Sequence, residues 1–205
     1  PHLLGEHPPR WRDGATWLQL PEPPNQQQVE QWIAEAIRRS GIADGALRIN
    51  WSRGSGGRGL QPPSQAKGRC WGSLHPHQPS FQRQQVVISE RVQRWADDPL
   101  KGCKTLDYSA MVLARLEASQ AGASDVLLRS SQGGLCCGSS ANLLVQEGGQ
   151  WLTPPLSSGA LPGVMRARGV AMGLIQEARL ADSLPNEQPA LLLNSLDCRP
   201  LNHIA

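Results

Sequence analysis

The sequence predicts a mixed fold of helices and strands, of the α/β or α+β class, in two parts. Amphipathic helical segments and short strand-like runs follow one another along the chain. A Pro/His/Gln-rich connector from about His75 to Arg83 separates residues 1–78 from residues 79–205. A length of 205 residues suits one large or two small domains, with enough chain to bury a substantial core.

The elements follow in order. A short helical pattern, RWRDGATWLQL, lies between Pro8 and Pro24. In NQQQVEQWIAEAIRRSG, Val29, Trp32, Ile33, Ala36 and Ile37 recur at the spacing of one helix face, with Asn25 as N-cap and Gly41 as stop. ALRINW and RCWGSLHP read as strands on either side of a glycine-rich stretch, and QVVISE is a further strand. DDPLKGCKTLDYSAMVLARLEASQAG starts as a loop and becomes a helix with one buried face from about Asp107 to Ala121. SDVLLRS, GGLCCGSSANLLVQEGGQWLTPP and ALLLNSLDCRPL read as strands, with a hairpin over Gly148 and Gly149. LPGVMRARGVAMGL opens a helix at Pro162 and Gly163.

Composition narrows the function. Hydrophobic residues at 39% and charged residues at 18% exclude a disordered chain. A net charge of +3 permits an anionic ligand but is too weak to argue for nucleic acid. The five cysteines show no C-x-x-C and no metal-ligand spacing, which predicts free thiols in a reducing cytosol and no metal. No apolar run reaches the ~18 residues of a membrane span, and no signal peptide is visible. The chain opens at Pro1 in mid-pattern, so a native N-terminal segment is expected to precede it. Seven Trp against one Tyr and one Phe reads as Trp serving as the large core residue rather than as a base-stacking platform.

The stretch WSRGSGGRGL contains a literal G-x-G-x-x-G from Gly54 to Gly59. A dinucleotide loop needs a helix directly after it, and Pro62 and Pro63 prevent one. No G-K-[ST] follows, which excludes a P-loop. One short copy is not an RGG tract. What remains is a loop whose glycines free the backbone while Arg53 and Arg58 meet an anion.

Four further stretches belong together: GCKTLDY, LCCGSSANLL, TPPLSSGALPGVMR and LLLNSLDCRPL. In that order they resemble the class IV aminotransferase family, the fold-type IV enzymes that use pyridoxal 5'-phosphate. The family pattern runs K-T-L-N-Y, E-x-x-x-x-N-L-F, T-P-x-L-x-x-x-x-L-P-G-[IV]-x-R, then a short N/T-S-L segment. The resemblance implies an α+β, D-amino-acid aminotransferase-like fold: a small N-terminal α/β domain over 1–78 and a larger, barrel-like cofactor-binding domain over 79–205. It also implies a homodimer with a small anionic substrate, in the cytoplasm, with no nucleic acid or membrane partner.

By the same resemblance, Lys104 stands at the lysine that bonds the cofactor aldehyde and shuttles the proton. Arg10, in EHPPRW, matches the arginine that grips the cofactor phosphate. Gly163, Val164 and Met165 match the helix start whose backbone N–H groups hold that phosphate, and Ser195 adds a hydroxyl. Tyr108 falls near the cofactor's ring hydroxyl. Arg58, with Arg53 beside it, matches an arginine that binds the substrate carboxylate.

The sequence departs from the pattern at Cys137, five residues before Asn142, where the family has a glutamate facing the pyridine nitrogen. A buried thiol does not supply that negative charge. The departure disfavours vigorous transamination more than elimination. Asp107 in place of Asn is a smaller departure, and the segment after Arg166 is short for the family. The loop SRGSGGRGL is most similar to the branch that converts 4-amino-4-deoxychorismate to 4-aminobenzoate and pyruvate. A branched-chain or D-amino-acid aminotransferase and a non-catalytic relative are the alternatives.

Overall fold

Local signals set the first helices. α1 spans His7–Trp17 with prolines in its opening turn, where a missing N–H costs nothing. α2 spans Gln26–Ser40 and starts at a complete capping box, the Asn25 side chain accepting from the Gln28 amide and the Gln28 side chain from the Asn25 amide. It stops at Gly41 in the left-handed conformation, φ 67°. β1 (Gly45–Ser52) and β2 (Arg69–Pro76) form an antiparallel two-stranded sheet, with Ser52 opposite Arg69.

The computed structural model describes residues 4–203. The chain divides into two compact units, Pro1–Gln78 and Pro79–Ala205, and these elements all belong to the first. On α2, Val29 and Ile33 are buried, while Trp32 and Ile37, expected on the same buried face, are 45% and 41% exposed. With a single hairpin in the unit, the apolar face of α2 is wider than the sheet that could cover it.

The second unit holds β3 (Gln84–Arg94), α3 (Ser109–Gln120), β4 (Asp125–Ser130), β5 (Leu135–Gly138), β6 (Asn142–Glu147), β7 (Gln150–Thr153), α4 (Val164–Ala171), β8 (Ile175–Glu177), β9 (Ala190–Leu193) and β10 (Cys198–His203). The sheet order is β5-β4-β3-β10-β9-β6-β7-β8, and β5 also pairs with β6. That extra pairing closes β5-β4-β3-β10-β9-β6 into a ring, with β7 and β8 branching from it. The turn between β6 and β7 is Gly148-Gly149, both at positive φ, which matches the twist of the flanking strands.

Alternation along the strands builds two cores. Val86, Leu127, Leu135, Leu143, Leu192 and Leu201 share one buried cluster. Val126 and Leu128, one residue out of phase with Leu127, instead join Ala114 and Ala118 of α3 in the other. β5 breaks the alternation. Its pairing with β4 shifts between Leu128↔Cys137 and Arg129↔Leu135, so Cys136 is an extra residue, and the bulge places Cys136 and Cys137 together in the α3-side cluster.

The tryptophans do not fill either core. Trp17, Trp32, Trp71 and Trp95 are exposed, and Trp11, Trp51 and Trp151 are only partly covered. Leucine, valine and alanine make the buried clusters instead, because short aliphatic side chains fit between closely spaced strands and the alanine face of α3. Among the described residues, no helix is long and apolar enough to cross a membrane.

Candidate active site

In the second unit Cys137, the start of α4 and the end of β9 meet at Asn142, the first residue of β6, which is 5% exposed. Asn142 pairs with Cys137 on one side and with Leu193 on the other. Its side-chain Nδ2 donates to the Leu161 carbonyl at 2.9 Å, just before α4. One strand position therefore links Cys137, the α4 start and the end of β9. The sequence reading used Asn142 only to count back to Cys137. Its signal was an amide side chain inside an apolar strand, NLLV, where a buried polar group needs a partner.

Cys137 is 8% exposed. The adjacent Cys136 thiol and burial push the Cys137 thiol well above its ordinary value, so it is a neutral S–H. The turn beside it is tied down by Asp125, whose Oδ1 accepts from the Ser139 hydroxyl at 2.6 Å and whose Oδ2 pairs with Arg115 at 3.3 Å. All five cysteines are free thiols.

α4 begins at Val164 with Gly163 as N-cap, and no side chain caps it. The first-turn amides of Val164, Met165 and Arg166 therefore point out of the helix without an intrahelical acceptor. Arg166, 4% exposed in the same turn, donates from Nη2 to Pro154 O at 2.8 Å and pairs with Glu177, while its Nε meets no acceptor among the described residues. The N-terminus of a helix whose first-turn amides are uncapped favours negative charge.

Ser195 is exposed in the turn between β9 and β10. Asn194 organises that turn by accepting from the Leu196 and Asp197 amides at 2.8 and 2.9 Å. Asp197 in turn accepts from the Ser80 amide and from Arg199. Asn194 Nδ2 also donates to Ser140 O at 3.4 Å, bringing the Ser195 turn to the one beside Cys137. Lys104 and Tyr108 lie on the segment leading into α3, and both are exposed.

The first unit carries the arginines. Arg10 is half-buried on α1, and burial lowers its pKa. Arg53 is a brace: Nη1 donates to Gln19 O at 2.7 Å and Nη2 to Leu18 O at 2.6 Å. Gln19 is the one described non-glycine residue at positive φ, 51°, so Arg53 holds a strained turn after α1 and does not present an open fork. Arg58 is exposed on the loop 53–68. The base of that loop requires glycine. Gly54 has φ +91°, and a Cβ there would lie 1.9 Å from Lys67 O. A Cβ on Gly68 would lie 2.1 Å from the Trp51 ring, whose Nε1 donates to Pro21 O.

The family profile described as amino-transferase class IV matches residues 1–204. The chain belongs to the class IV aminotransferase family. It is 28% identical over 166 residues to a Methanocaldococcus jannaschii protein provisionally named a branched-chain-amino-acid aminotransferase, a match covering 80% of this chain and 58% of that one. Over 85 residues it is 36% identical to a provisionally named aminodeoxychorismate lyase of Schizosaccharomyces pombe, covering 40% of this chain and 37% of that one. The chain thus spans less than two thirds of the length of either relative. A Legionella pneumophila crystal structure, provisionally named a 4-amino-4-deoxychorismate lyase, superposes with a TM-score of 0.88 at 22% identity, covering 98% of this chain and 77% of that one. The fold of this class IV aminotransferase relative is therefore the α+β, barrel-containing fold-type IV architecture.

Proposed function

We propose that the protein is a pyridoxal 5'-phosphate-dependent lyase that converts 4-amino-4-deoxychorismate to 4-aminobenzoate and pyruvate. The observation that carries the reading is the neutral, buried Cys137 at the position where the family has a glutamate. A thiol cannot hold a pyridine nitrogen protonated by negative charge. Elimination with aromatisation of the product tolerates that loss better than transamination does. The glycine–arginine loop and the similarity to two lyase-named proteins support the same branch.

The residues fit the cofactor's phosphate. The uncapped amides of Val164 and Met165, the unpartnered Nε of Arg166 and the exposed Ser195 hydroxyl are donors suited to a dianion. The family resemblance, rather than any contact, implies that Arg10 on α1 would grip the cofactor phosphate. When bound, the cofactor supplies an aldehyde carbon that takes the substrate amine and a conjugated ring that accepts electrons.

By its match to the family pattern, Lys104 would hold the cofactor through its side-chain amine. Its free amine would take the proton from the substrate's ring carbon and return one to the departing three-carbon enol. Arg58 holds a substrate carboxylate, while Arg53 shapes the loop on which Arg58 stands. Tyr108 lies within the Lys104 segment as a hydroxyl for the cofactor ring oxygen. The reading places the enzyme in the cytoplasm as a homodimer. An exposed apolar stripe, Leu106, Val112, Leu113 and Leu116 on and before α3, suits a second copy.

The test is pyruvate release from aminodeoxychorismate with no amino acceptor, alongside the visible spectrum. Wild type is expected to show a cofactor band and release pyruvate. Lys104→Ala is expected to shift the band and lower the rate by about 10³-fold or more. No band after adding pyridoxal phosphate overturns the reading. Amino transfer to a keto acid without pyruvate release replaces it with aminotransferase, the reading that the Methanocaldococcus relative favours.

A further inference from the structure

We infer that Asn142 is a positioning residue: it fixes the N-terminus of α4 against the strand end that carries Cys137, and so sets the strength of anion binding at the Val164 and Met165 amides. The inference rests on the reading of that terminus as the phosphate site.

Asn142 has no freedom to serve elsewhere. Its backbone is held between Cys137 and Leu193. Its Nδ2 donates to Leu161 O at 2.9 Å, and the same carbonyl accepts from the Gly163 amide at 2.8 Å. Two donors from different elements thus converge on one oxygen, and Pro162 stiffens the turn between them. Turning the Asn142 amide away would leave a buried donor unpaired, which fixes its orientation.

Gly163 supplies the complementary half. Its φ is −69° and its ψ 141°, which any residue adopts, so backbone conformation does not demand glycine. Space does: a Cβ at Gly163 would lie 2.0 Å from Asn142 Oδ1. The helix start is therefore seated directly on the asparagine amide. The Gly163 carbonyl then accepts from the Ala167 amide at 2.9 Å, the first bond of α4. Any shift of Asn142 is passed to the peptide that aims the amides of Val164 and Met165.

The experiment follows those two amides directly. Inorganic phosphate is titrated into the full chain, and the ¹⁵N–¹H signals of Val164 and Met165 are tracked, independent of turnover. Wild type is expected to shift saturably. Asn142→Ala is expected to weaken phosphate at these signals by about tenfold. Val145→Ala, buried on the same strand, lowers stability but is expected to keep phosphate affinity within about twofold. Gly163→Ala, which drives a methyl into Asn142, is also expected to lose about tenfold. In the Asn142→Ala background the same methyl keeps an ordinary contact with Arg166 Cβ at 3.8 Å and should cost less than about threefold more. A wild type with no shift overturns both the phosphate reading and the inference. A saturable wild type with Asn142→Ala within about twofold overturns the inference alone. Should Asn142→Ala not fold, Gly163→Ala with unchanged affinity has the same force.

Discussion

The second unit and the first treat their anion-binding residues in opposite ways. Around Asn142, candidate groups sit on strand ends and a helix start, each tied by a buried side chain: Asn142 to Leu161 O, Asp125 to Ser139, Asp197 to Ser80. In the first unit, Arg58 stands on the exposed loop 53–68, which only its base secures through Arg53, Gly54 and Trp51. On the proposed reading the difference divides the labour, Arg10 on α1 being the exception in the first unit. A site for a cofactor that stays bound gains from donors fixed in advance. A site for a substrate that must enter and leave can sit on a loop anchored at its root and open at its tip.

Substitutions at the root and at the core should break that contrast differently. The largest effect is expected for Cys137→Glu. It buries a carboxylate beside a neutral thiol and should destabilise the cofactor-free protein by roughly 3–5 kcal/mol, read from chemical denaturation. Pyridoxal phosphate should restore much of that loss if a protonated ring nitrogen meets the new charge. A Cys137→Glu protein equally stable without cofactor would show that this position is not closed. Gly54→Ala should come next, at about 2–3 kcal/mol, from positive φ and the contact with Lys67 O. It should also speed tryptic cleavage within 53–68 while leaving the spectrum of bound cofactor unchanged.

The two loop arginines sharpen the comparison further. Arg53→Ala should cost about 2 kcal/mol by releasing the Leu18 and Gln19 carbonyls. Arg58→Ala should leave stability within about 0.5 kcal/mol but raise KM roughly tenfold. Equal effects of the two on KM would restore Arg53 as a substrate ligand. The smallest effect is a pH dependence. The folded pKa of Cys137 lies above its unfolded value, so the unfolded chain releases the proton first. That stabilisation is complete below the ordinary thiol range and is lost as pH rises above it. Denaturation midpoints should fall with alkaline pH in wild type, and less steeply in Cys137→Ala.

Much of this was legible beforehand. The α2 caps, the Gly148-Gly149 hairpin and the helix start at Gly163 are local chemistry, written in adjacent residues. The tryptophans were misread because burial depends on what covers a face, and covering is not local. Trp32 has the right phase on α2 and lines a groove beside β1 and β2, yet stays 45% exposed because nothing among the described residues closes over it. Arg53 could not be told from Arg58 by spacing, since its partners lie in a turn more than thirty residues earlier. Asn142 was hidden for the same reason: its role is a contact with Leu161, across a hairpin and a loop. The bulge at Cys136 left no mark in the alternation of so short a strand.

The closed ring of strands has a seam. β5 and β6 meet at one residue pair, Cys137↔Asn142, with a further bond from the Gly138 amide to Ala141 O, whereas β3 and β4 share a long ladder. A ring breathes where its ladder is shortest, so amide exchange at Gly138 and Asn142 should be governed by local opening rather than by global unfolding. The β3–β10 ladder, which joins the two ends of the unit, should by contrast be the slowest to form. A ligand that spans Cys137 and the α4 start would therefore act as a clasp, and its occupancy should be visible as slowed exchange at the seam before any catalysis is measured.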